Sequence, residues 1–325
     1  MPSQSSPMRN SVKAASVALV ALTMLAGSAC NASVPPPADA LDIGVADLGG
    51  GNHVVGALAA DGSVAVKSAR CTGSACALAP WFSLGGNVTS LQIDATSPGH
   101  VVVVGLAPGG ATWFRRGACP STECTWSGWR KLGGKLEYLS GAQSTSSPCV
   151  NLAGLTTATN VYRAEICENG TTAWQSAHGA VFELEVSPTG ALFGPRFHGH
   201  TYVGKPVGAQ VAWTDIGGST GDPATNPTSP SEQCGLSTTS RQLWCHSPSG
   251  WSRVGGTWAR LDDGSTVGIS DDGSVLDWRG TVIEDSGGSM TQVAREGDLQ
   301  VAISTDGVAQ FRNFRDQANA WQNLS

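Results

Sequence analysis

The sequence predicts an all-β fold, a seven-bladed β-propeller built from four-stranded antiparallel blades. Three observations support this prediction: a short phrase that recurs seven times, a hairpin signal inside the repeats, and cysteine pairs that stay within single repeats. Tandem strand-rich units of about 40 residues are typical of propellers, because each unit forms one small sheet and the sheets pack in a ring.

The recurring phrase is an aromatic or bulky apolar residue, two variable positions, an apolar residue and Gly-Gly. Its copies begin at Trp81, Trp129, Trp174, Trp213, Trp251, Ile283 and Trp321, with intervals of 48, 45, 39, 38, 32 and 38 residues. We expect the repeated tryptophan to pack between neighbouring blades. The glycine pair is expected to turn the chain sharply into the next blade, since glycine tolerates backbone angles that other residues avoid.

Most repeats also contain two apolar runs separated by a turn signal, such as Asp61-Gly62 after the run that starts at His53. Asp-Gly between apolar runs predicts a β-hairpin, because this turn needs positive φ angles. Ser219–Glu232 is proline-rich and loop-like, and the sixth repeat is short and lacks its tryptophan. The predicted blades span residues 41–86, 87–134, 135–179, 180–218, 219–256, 257–288 and 289–325.

The N-terminal residues 1–29 read as a signal peptide. Arg9 and Lys13 precede an apolar run from Ala14 to Ala26, which is shorter than a membrane-spanning helix needs. Small residues then lead to Cys30, and the site resembles a bacterial lipoprotein signal, which predicts lipid attachment at Cys30. Residues 30–40 are interpreted as the lipidated cysteine with a proline-rich tether. The alternative is ordinary cleavage that releases a soluble secreted protein.

Without Cys30, the eight remaining cysteines form four local pairs, and each pair lies inside one predicted blade. The expected disulfides are Cys71–Cys76, Cys119–Cys124, Cys149–Cys167 and Cys234–Cys245. Four disulfides indicate an oxidising compartment and therefore export. The C-x4-C spacing can also suggest metal ligation, but no histidine or second thiol pair accompanies it, so we predict no metal site.

The charge balance excludes several classes of partner. The formal net charge is −6, which argues against nucleic acid and against anionic lipid as a charged partner. We therefore expect membrane contact through the lipid anchor only. No nucleophile motif is present and no cofactor is predicted, so we expect a protein that is not an enzyme. His198-Gly-His200 is interpreted as a loop pair.

The string Trp126-Ser-Gly-Trp129-Arg-Lys-Leu-Gly-Gly134 is similar to the W-S-G-W-x-x-L-G-G phrase of a bacterial seven-bladed propeller lectin family, the fucose-binding lectins of the Photorhabdus type and their relatives. The resemblance implies sugar sites between blades, where an aromatic ring stacks on the sugar and arginine binds its hydroxyls. By this resemblance the candidate carbohydrate-binding residues are Trp113, Arg115, Tyr162, Arg163, Trp244, Trp278, Arg279, Phe311 and Arg312.

Taken together, the sequence predicts an exported, lipid-anchored protein of the bacterial cell envelope that binds carbohydrate at inter-blade sites. The first alternative is a scaffold that docks another envelope protein without binding sugar, and the second is a hydrolase. Exposed aromatic residues at equivalent positions of several blades would favour the lectin. One continuous apolar patch would favour the scaffold. An axial pocket with clustered carboxylates, or with His198 and His200, would favour the enzyme.

Overall fold

In the computed structural model of the protein, the described residues are 33–324, except 38, 74, 197–198, 227–228, 230–231, 263–265, 279, 281, 298 and 314–319. These residues form seven antiparallel sheets arranged in a ring, and no helix occurs among them. The predicted fold class, a seven-bladed all-β propeller, is confirmed. None of the described residues forms a helix that could cross a membrane. The predicted signal peptide and Cys30 lie outside the described residues.

The first three blades contain extra short strands at their outer edges. Blade 1 consists of β1 (Ser33–Val34), β2 (Asp42–Asp47), β3 (Asn52–Leu58), β4 (Val64–Thr72), β5 (Ala75–Leu78) and β6 (Trp81–Gly85). Blade 2 consists of β7 (Ser90–Ser97), β8 (His100–Leu106), β9 (Thr112–Ala118), β10 (Thr125–Trp126) and β11 (Arg130–Gly133). Blade 3 consists of β12 (Tyr138–Gln143), β13 (Cys149–Leu155), β14 (Asn160–Cys167), β15 (Gly170–Thr171) and β16 (Gln175–Ala180).

The other four blades have four strands each, paired in chain order. Blade 4 consists of β17 (Glu185–Val186), β18 (Leu192–Pro195), β19 (Thr201–Val207) and β20 (Gln210–Gly217). Blade 5 consists of β21 (Thr220–Thr225), β22 (Gln233–Ser237), β23 (Leu243–Ser247) and β24 (Gly250–Gly255). Blade 6 consists of β25 (Arg260–Leu261), β26 (Val267–Ile269), β27 (Val275–Trp278) and β28 (Ile283–Asp285). Blade 7 consists of β29 (Met290–Glu296), β30 (Leu299–Ser304), β31 (Ala309–Asn313) and β32 (Gln322–Asn323).

The hydrophobic core lies between blades rather than in one central mass. One cluster joins Val102 and Val104 of blade 2 to Leu139 and Leu152 of blade 3. Strand β8 is an almost continuous apolar run because both of its faces are covered by neighbouring blades. Adjacent blades therefore bury each other's faces, and the inner strands β2, β7, β12 and β29 line the axis of the ring.

The ring closes through side-chain contacts between blade 7 and blade 1. Leu299 and Val301 of blade 7 share a buried cluster with Val55 of blade 1. Lys67 Nζ and Trp81 Nε1 both donate to the carbonyl of Leu324, each at 2.7 Å. Each blade takes its four principal strands from one continuous stretch of chain, so closure does not require exchange of a strand between the two ends.

Part of the predicted tether is docked on the propeller. Strand β1 pairs antiparallel with β6, with Ser33 opposite Phe82 and Val34 opposite Trp81. This short strand covers the outer edge of blade 1, where unpaired backbone groups would otherwise face solvent. Part of the predicted tether, residues 30–40, therefore belongs to the sheet of blade 1.

All four predicted disulfides are confirmed, and each stays within one blade. Cys71 lies opposite Cys76 in the β4–β5 hairpin, and Cys119–Cys124 closes the turn between β9 and β10. The other two pairs, Cys149–Cys167 and Cys234–Cys245, join directly opposed residues of adjacent strands. These bonds stabilise individual blades, whereas the junctions between blades are held by noncovalent contacts.

Candidate functional site

In blades 1, 2, 4, 5 and 7 the repeated tryptophan forms a hydrogen bond to the blade before it. Its indole Nε1 donates to the carbonyl of the fourth residue of the phrase in the preceding blade. The donor and acceptor pairs are Trp81 and Leu324 (2.7 Å), Trp129 and Leu84 (2.9 Å), Trp213 and Ala177 (2.8 Å), Trp251 and Ile216 (2.9 Å), and Trp321 and Ser286 (3.3 Å). The phrase tryptophans therefore form the blade junctions, as the repeat predicts.

The glycine pair explains why the phrase is so regular. The first glycine has a positive φ, as at Gly85 (φ 60°), and His178 at the same position of the third copy also has a positive φ of 51°. The second glycine makes room for the next tryptophan, because a Cβ at Gly218 would lie 2.7 Å from the ring of Trp251. The phrase therefore combines a turn with a socket, at its second glycine, for the indole of the next blade's tryptophan.

Three blades place a basic side chain opposite the phrase tryptophan, and this group reinforces the same junction. Arg115 Nη1 donates to the Leu84 carbonyl at 2.6 Å, and Arg312 Nη1 donates to the Ser286 carbonyl at 3.3 Å, as Lys67 does to Leu324. Burial lowers the pKa of Arg115 and of Lys67. The predicted sugar ligands Arg115 and Arg312 are therefore engaged in blade-to-blade contacts.

Two predicted aromatic candidates are core residues. Trp278 is only 7% exposed, lies opposite Ile283 and packs at the junction of blades 5 and 6. Phe311 is 5% exposed and belongs to the cluster that joins blades 7 and 1. Arg279 lies outside the described residues. The aromatic-arginine pairs predicted in blades 6 and 7 thus present no open ring among the described residues.

The structure aligns a different set of aromatic residues, which we call the aromatic row: Trp113, Tyr162, Tyr202 and Trp244. Each lies on the third strand of its blade, opposite the third residue of the phrase on the fourth strand, and each is half-buried. On the other side of each ring stands a glycine of the second strand: Gly105, Gly154, Gly194 and Gly235. In each of blades 2 to 5, therefore, a glycine, an aromatic residue and the third residue of the phrase lie side by side on three neighbouring strands.

The polar neighbours of the row differ from blade to blade. The cross-strand partners of the rings are Lys131, Ser176, Asp215 and Arg253. The equivalent position of the row holds Ala65 in blade 1, Leu276 in blade 6 and Gln310 in blade 7. A ring position that recurs in four blades with different hydrogen-bonding partners is a suitable basis for several related but unequal binding sites.

Tyr202 was missed by sequence reasoning, and its surroundings are the most polar of the row. Its hydroxyl donates to Asp215 Oδ2 at 3.2 Å, His200 Nδ1 lies 2.8 Å from the same oxygen, and the Arg196 guanidinium lies 4.7 Å from the ring centre. The hydrogen bond with His200 lowers the pKa of Asp215. His200 is thus partnered with a carboxylate, while His198 lies outside the described residues.

Arg163 stands beside a polar cavity between blades 3 and 4. The cavity has a volume of about 260 Å³ and is lined by Asn151, Arg163, Glu165 and Gln175 among others. Arg163 Nη2 donates to the Gly208 carbonyl at 3.0 Å, which holds the guanidinium at the cavity wall. Among the predicted candidates, Arg163 is the basic residue best placed to meet a small polar ligand.

A larger cavity, with a volume of about 480 Å³, lies on the ring axis. It is lined by the inner strands of blades 1, 2, 3 and 7 and by Asp262, and it is separate from the aromatic row. The sequence could not reveal this cavity because its walls come from blades far apart in the chain.

A serine, a histidine and a carboxylate meet at the junction of blades 2 and 3. Ser97 Oγ donates to Glu168 and lies 3.2 Å from His100 Nδ1, which is itself 3.5 Å from Glu168. In a catalytic triad the histidine uses one nitrogen for the hydroxyl and the other for the acid. Here Nδ1 faces both groups, so the arrangement is a hydrogen-bonded surface contact rather than an activated nucleophile.

Comparisons with known proteins identify the architecture only. No protein-family model matches the chain, and no curated protein matches it. Among solved structures, the BP39L lectin of Burkholderia pseudomallei has a TM-score of 0.64 at 12% identity and covers 88% of this chain and 99% of its own. YCF48 bound to D1 peptide has a TM-score of 0.53 at 10% identity, with 88% and 96% covered. An acylaminoacyl peptidase of Pyrococcus horikoshii has a TM-score of 0.56 at 6% identity, with 89% and 52% covered.

These three neighbours share the propeller fold with this chain and differ in what they bind or cleave. At such low identity the likeness shows the fold alone. The chain is thus similar to a lectin, to a peptide-binding propeller and to the matched part of a peptidase, and its function has to be argued from its own residues.

Proposed function

We propose that the protein is a non-enzymatic, exported propeller of the bacterial cell envelope that binds carbohydrate at sites between blades. The observation that supports this proposal is the aromatic row, four half-buried rings at equivalent positions of blades 2 to 5. A half-buried ring offers one face to the C–H groups of a sugar, and the adjacent polar groups bind its hydroxyls.

Of the predicted ligands, Trp113, Tyr162, Trp244 and Arg163 remain in the proposal, and Tyr202 joins them. Arg115, Trp278, Phe311 and Arg312 are assigned to the blade junctions instead. Several weak sites on one rigid ring gain affinity for a glycan-coated surface, because binding at one site raises the effective concentration at the others.

The test is a glycan array probed with the full chain and with variants of the aromatic row. The wild type should bind a defined set of glycans, and single Trp113→Ala, Tyr162→Ala, Tyr202→Ala and Trp244→Ala changes should each weaken binding, by roughly tenfold at a site that stacks on the sugar. Phe182→Ala is the matched control, because Phe182 is an aromatic residue, 42% exposed, outside the row. No binding by the folded wild type, or equal loss in the control, would contradict the proposal.

Export and lipid attachment at Cys30 are part of the same proposal. The four disulfides indicate an oxidising environment. Only Asn31 and Ala32 separate Cys30 from the docked strand β1, so a lipid on Cys30 would keep blade 1 close to the bilayer. A Cys30→Ser protein should leave the membrane fraction, whereas unchanged partitioning would contradict lipid anchoring.

Two rival functions have specific tests. The scaffold hypothesis calls for a continuous apolar patch. The exposed large apolar residues among the described positions are instead spread over blades 1, 4, 6 and 7: Leu41, Phe182, Val207, Val282 and Val308.

The hydrolase hypothesis gains support from the carboxylates of the axial cavity, since glycoside hydrolysis uses a pair of them. Release of reducing sugar from a glycan bound on the array would favour that hypothesis.

A further inference from the structure

The cavity on the ring axis is acidic. We refer to it below as the axial channel. Its wall contains five carboxylates, Asp42, Asp94, Glu137, Asp262 and Glu296, and one guanidinium, Arg295. They come from different blades: Asp42, Asp94 and Glu296 lie on the inner strands β2, β7 and β29, Glu137 precedes β12, and Asp262 follows β25. Clefts lined by charges of one sign concentrate the electric field and attract ions of opposite charge.

The one guanidinium in the channel wall does not balance these charges. Arg295 Nη1 is 2.6 Å from Asp277 Oδ1, and Asp277 is fully buried behind the wall. Asp277 also accepts a hydrogen bond from Gln300 at 3.0 Å. Arg295 therefore shares its charge with a buried carboxylate outside the channel, and five carboxylates against one guanidinium give the channel wall a negative formal charge.

Two buried acceptor oxygens, one at the channel wall and one in an adjoining cavity, have no hydrogen-bond donor among the described residues. Asp94 Oδ2 is inaccessible to solvent and unpartnered, and it occupies the space left by Gly141, where a Cβ would lie 2.6 Å away. Gln292 Oε1 is likewise buried and unpartnered, in a cavity of about 230 Å³ that shares Asp42 and Asp262 with the channel. Buried acceptors without donors are rare and destabilising, so a ligand that draws the Asp94 carboxylate toward the channel and donates a hydrogen bond would remove that cost at the channel wall.

The electrostatics of the channel agree with this geometry. Burial raises the pKa of Asp94 to about 7. Glu296 keeps contact with solvent, yet surrounding protein raises its pKa to about 7, and the nearby charges of Asp94 and Asp47 add to the shift. Asp94 therefore resists ionisation because it is buried, and Glu296 also because Asp94 and Asp47 lie near it, so a bound cation would stabilise their charged forms.

The spacing of the acidic groups argues against a single metal ion as the occupant. Among the described residues, only Cys149, Glu165 and Cys167 bring three possible metal-ligand atoms within 4.8 Å of one another. The two cysteines of this group are joined in a disulfide. The channel carboxylates do not converge in this way. Apolar residues such as Val45 and Ile93 also line the channel, which suits an aliphatic spacer between separated charges.

We propose that the axial channel binds an extended organic cation, in which two or more amino groups are separated by flexible aliphatic segments. The amino groups contact Asp94 and Glu296 and the carboxylates further along the wall, and the aliphatic segments pack on the apolar residues between them. This chemistry is found in free polyamines and in lysine side chains of a peptide, and the experiment distinguishes the two sources.

The experiment is calorimetric titration of the full-length protein with spermine, and in parallel with trilysine, butylamine and calcium chloride. Spermine should bind at low ionic strength and butylamine should not bind measurably, because one amino group cannot reach several carboxylates. The double variant Asp94→Asn with Glu296→Gln should weaken spermine binding at least tenfold. Glu123→Gln is the matched control, because it removes one exposed carboxylate outside the channel, and it should change the affinity less than twofold.

Each outcome decides the proposal. Tighter binding of trilysine than of spermine would assign the site to a basic peptide and keep the proposed chemistry. Absence of binding by both multivalent amines would overturn the proposal, as would equal affinity in the double variant and the control. Calcium binding without amine binding would also overturn it. If the double variant fails to fold, Glu296→Gln alone provides the same comparison, since Glu296 is exposed to solvent.

Discussion

Two blade junctions solve the same packing problem with different residues. At the junction of blades 7 and 1, Trp81 comes from the phrase itself and donates to the Leu324 carbonyl. At the junction of blades 5 and 6, the phrase begins with Ile283, and the indole is supplied by Trp258, which is fully buried and donates to the Gly255 carbonyl at 3.0 Å. Both junctions therefore contain one buried indole that donates to a backbone carbonyl at the end of the preceding blade.

The two junctions differ in which of two positions carries the large side chain. The second position after Gly-Gly is smaller than tryptophan in the other blades, where it is Val88, Leu136, Val181, Thr220 or Met290. In blade 6 that position holds Trp258, while the phrase position shrinks to Ile283. A Cβ at Gly256 would lie 2.4 Å from Trp258 and 3.0 Å from Ile283, so both side chains share the same socket. The junction requires a filled socket and a donor, not a tryptophan at one fixed position.

The largest expected effect comes from emptying the socket of blade 6. Trp258→Ala should lower the free energy of unfolding by about 3–5 kcal/mol, because a fully buried indole is lost and a cavity remains. The combined change Trp258→Val with Ile283→Trp should recover most of the loss, since it restores the arrangement of the other blades. Chemical denaturation measures both. If the two changes destabilise the protein additively, a large residue at position 283 does not compensate for a small one at position 258, and this interpretation would be contradicted.

A smaller effect isolates the hydrogen bond of the junction. Trp81→Phe removes the bond to Leu324 and should cost about 1–3 kcal/mol. Trp174→Phe is the matched control, because Trp174 Nε1 has no hydrogen-bond partner among the described residues, and this change should cost less by about the energy of one bond. Thermal unfolding of the two variants provides the measurement. Equal losses would show that the indole stabilises the ring by volume alone.

The part of a blade junction that lines the axial channel contains the buried carboxyl group of Asp94. The stability of the fold should therefore depend on pH. Asp94 faces Gly141 between blades 2 and 3, and its charge acts on Glu296, which also has Asp47 and Arg295 as charged neighbours. Its folded pKa is raised to about 7, so the folded state binds the proton more tightly than the unfolded state does. Stability should therefore fall as pH rises from about 4 to about 7.

The variant Asp94→Asn should remove part of that decline, by at least the equivalent of one pKa unit, about 1.4 kcal/mol. The measurement is the unfolding free energy at pH 5 and pH 8 in the wild type and the variant. A decline of the same size in both proteins would show that Asp94 does not carry the effect.

The sequence predicted the features that depend on local order. The phrase, the Asp-Gly hairpin signals and the cysteine pairs each lie within one blade, so the blade count and the disulfides could be predicted. The aromatic row could be predicted only in part. Tyr202 lies 11 residues before its phrase and Trp113 lies 16 before its own, because the intervening turns differ in length, and the cross-strand register of Tyr202 was therefore hidden.

Apart from the packing of the repeated tryptophan, contacts between blades could not be predicted. The role of Arg115 depends on the Leu84 carbonyl of the preceding blade, and the axial channel joins Asp94 to Glu296, some 200 residues away. Neither separation leaves a pattern in the sequence. The same reason explains why Trp278 and Phe311 read as surface candidates although both are buried.

The central claim is that the repeated tryptophans hold the ring together, while the half-buried rings beside them bind ligand. The most direct test compares Trp113→Ala with Trp129→Ala, two changes in the same blade, by glycan binding and thermal midpoint. Trp113→Ala should lose glycan affinity with little change of midpoint, whereas Trp129→Ala should lower the midpoint clearly. A Trp113→Ala protein that binds every glycan as the wild type does, or one that unfolds as readily as Trp129→Ala, would contradict the account.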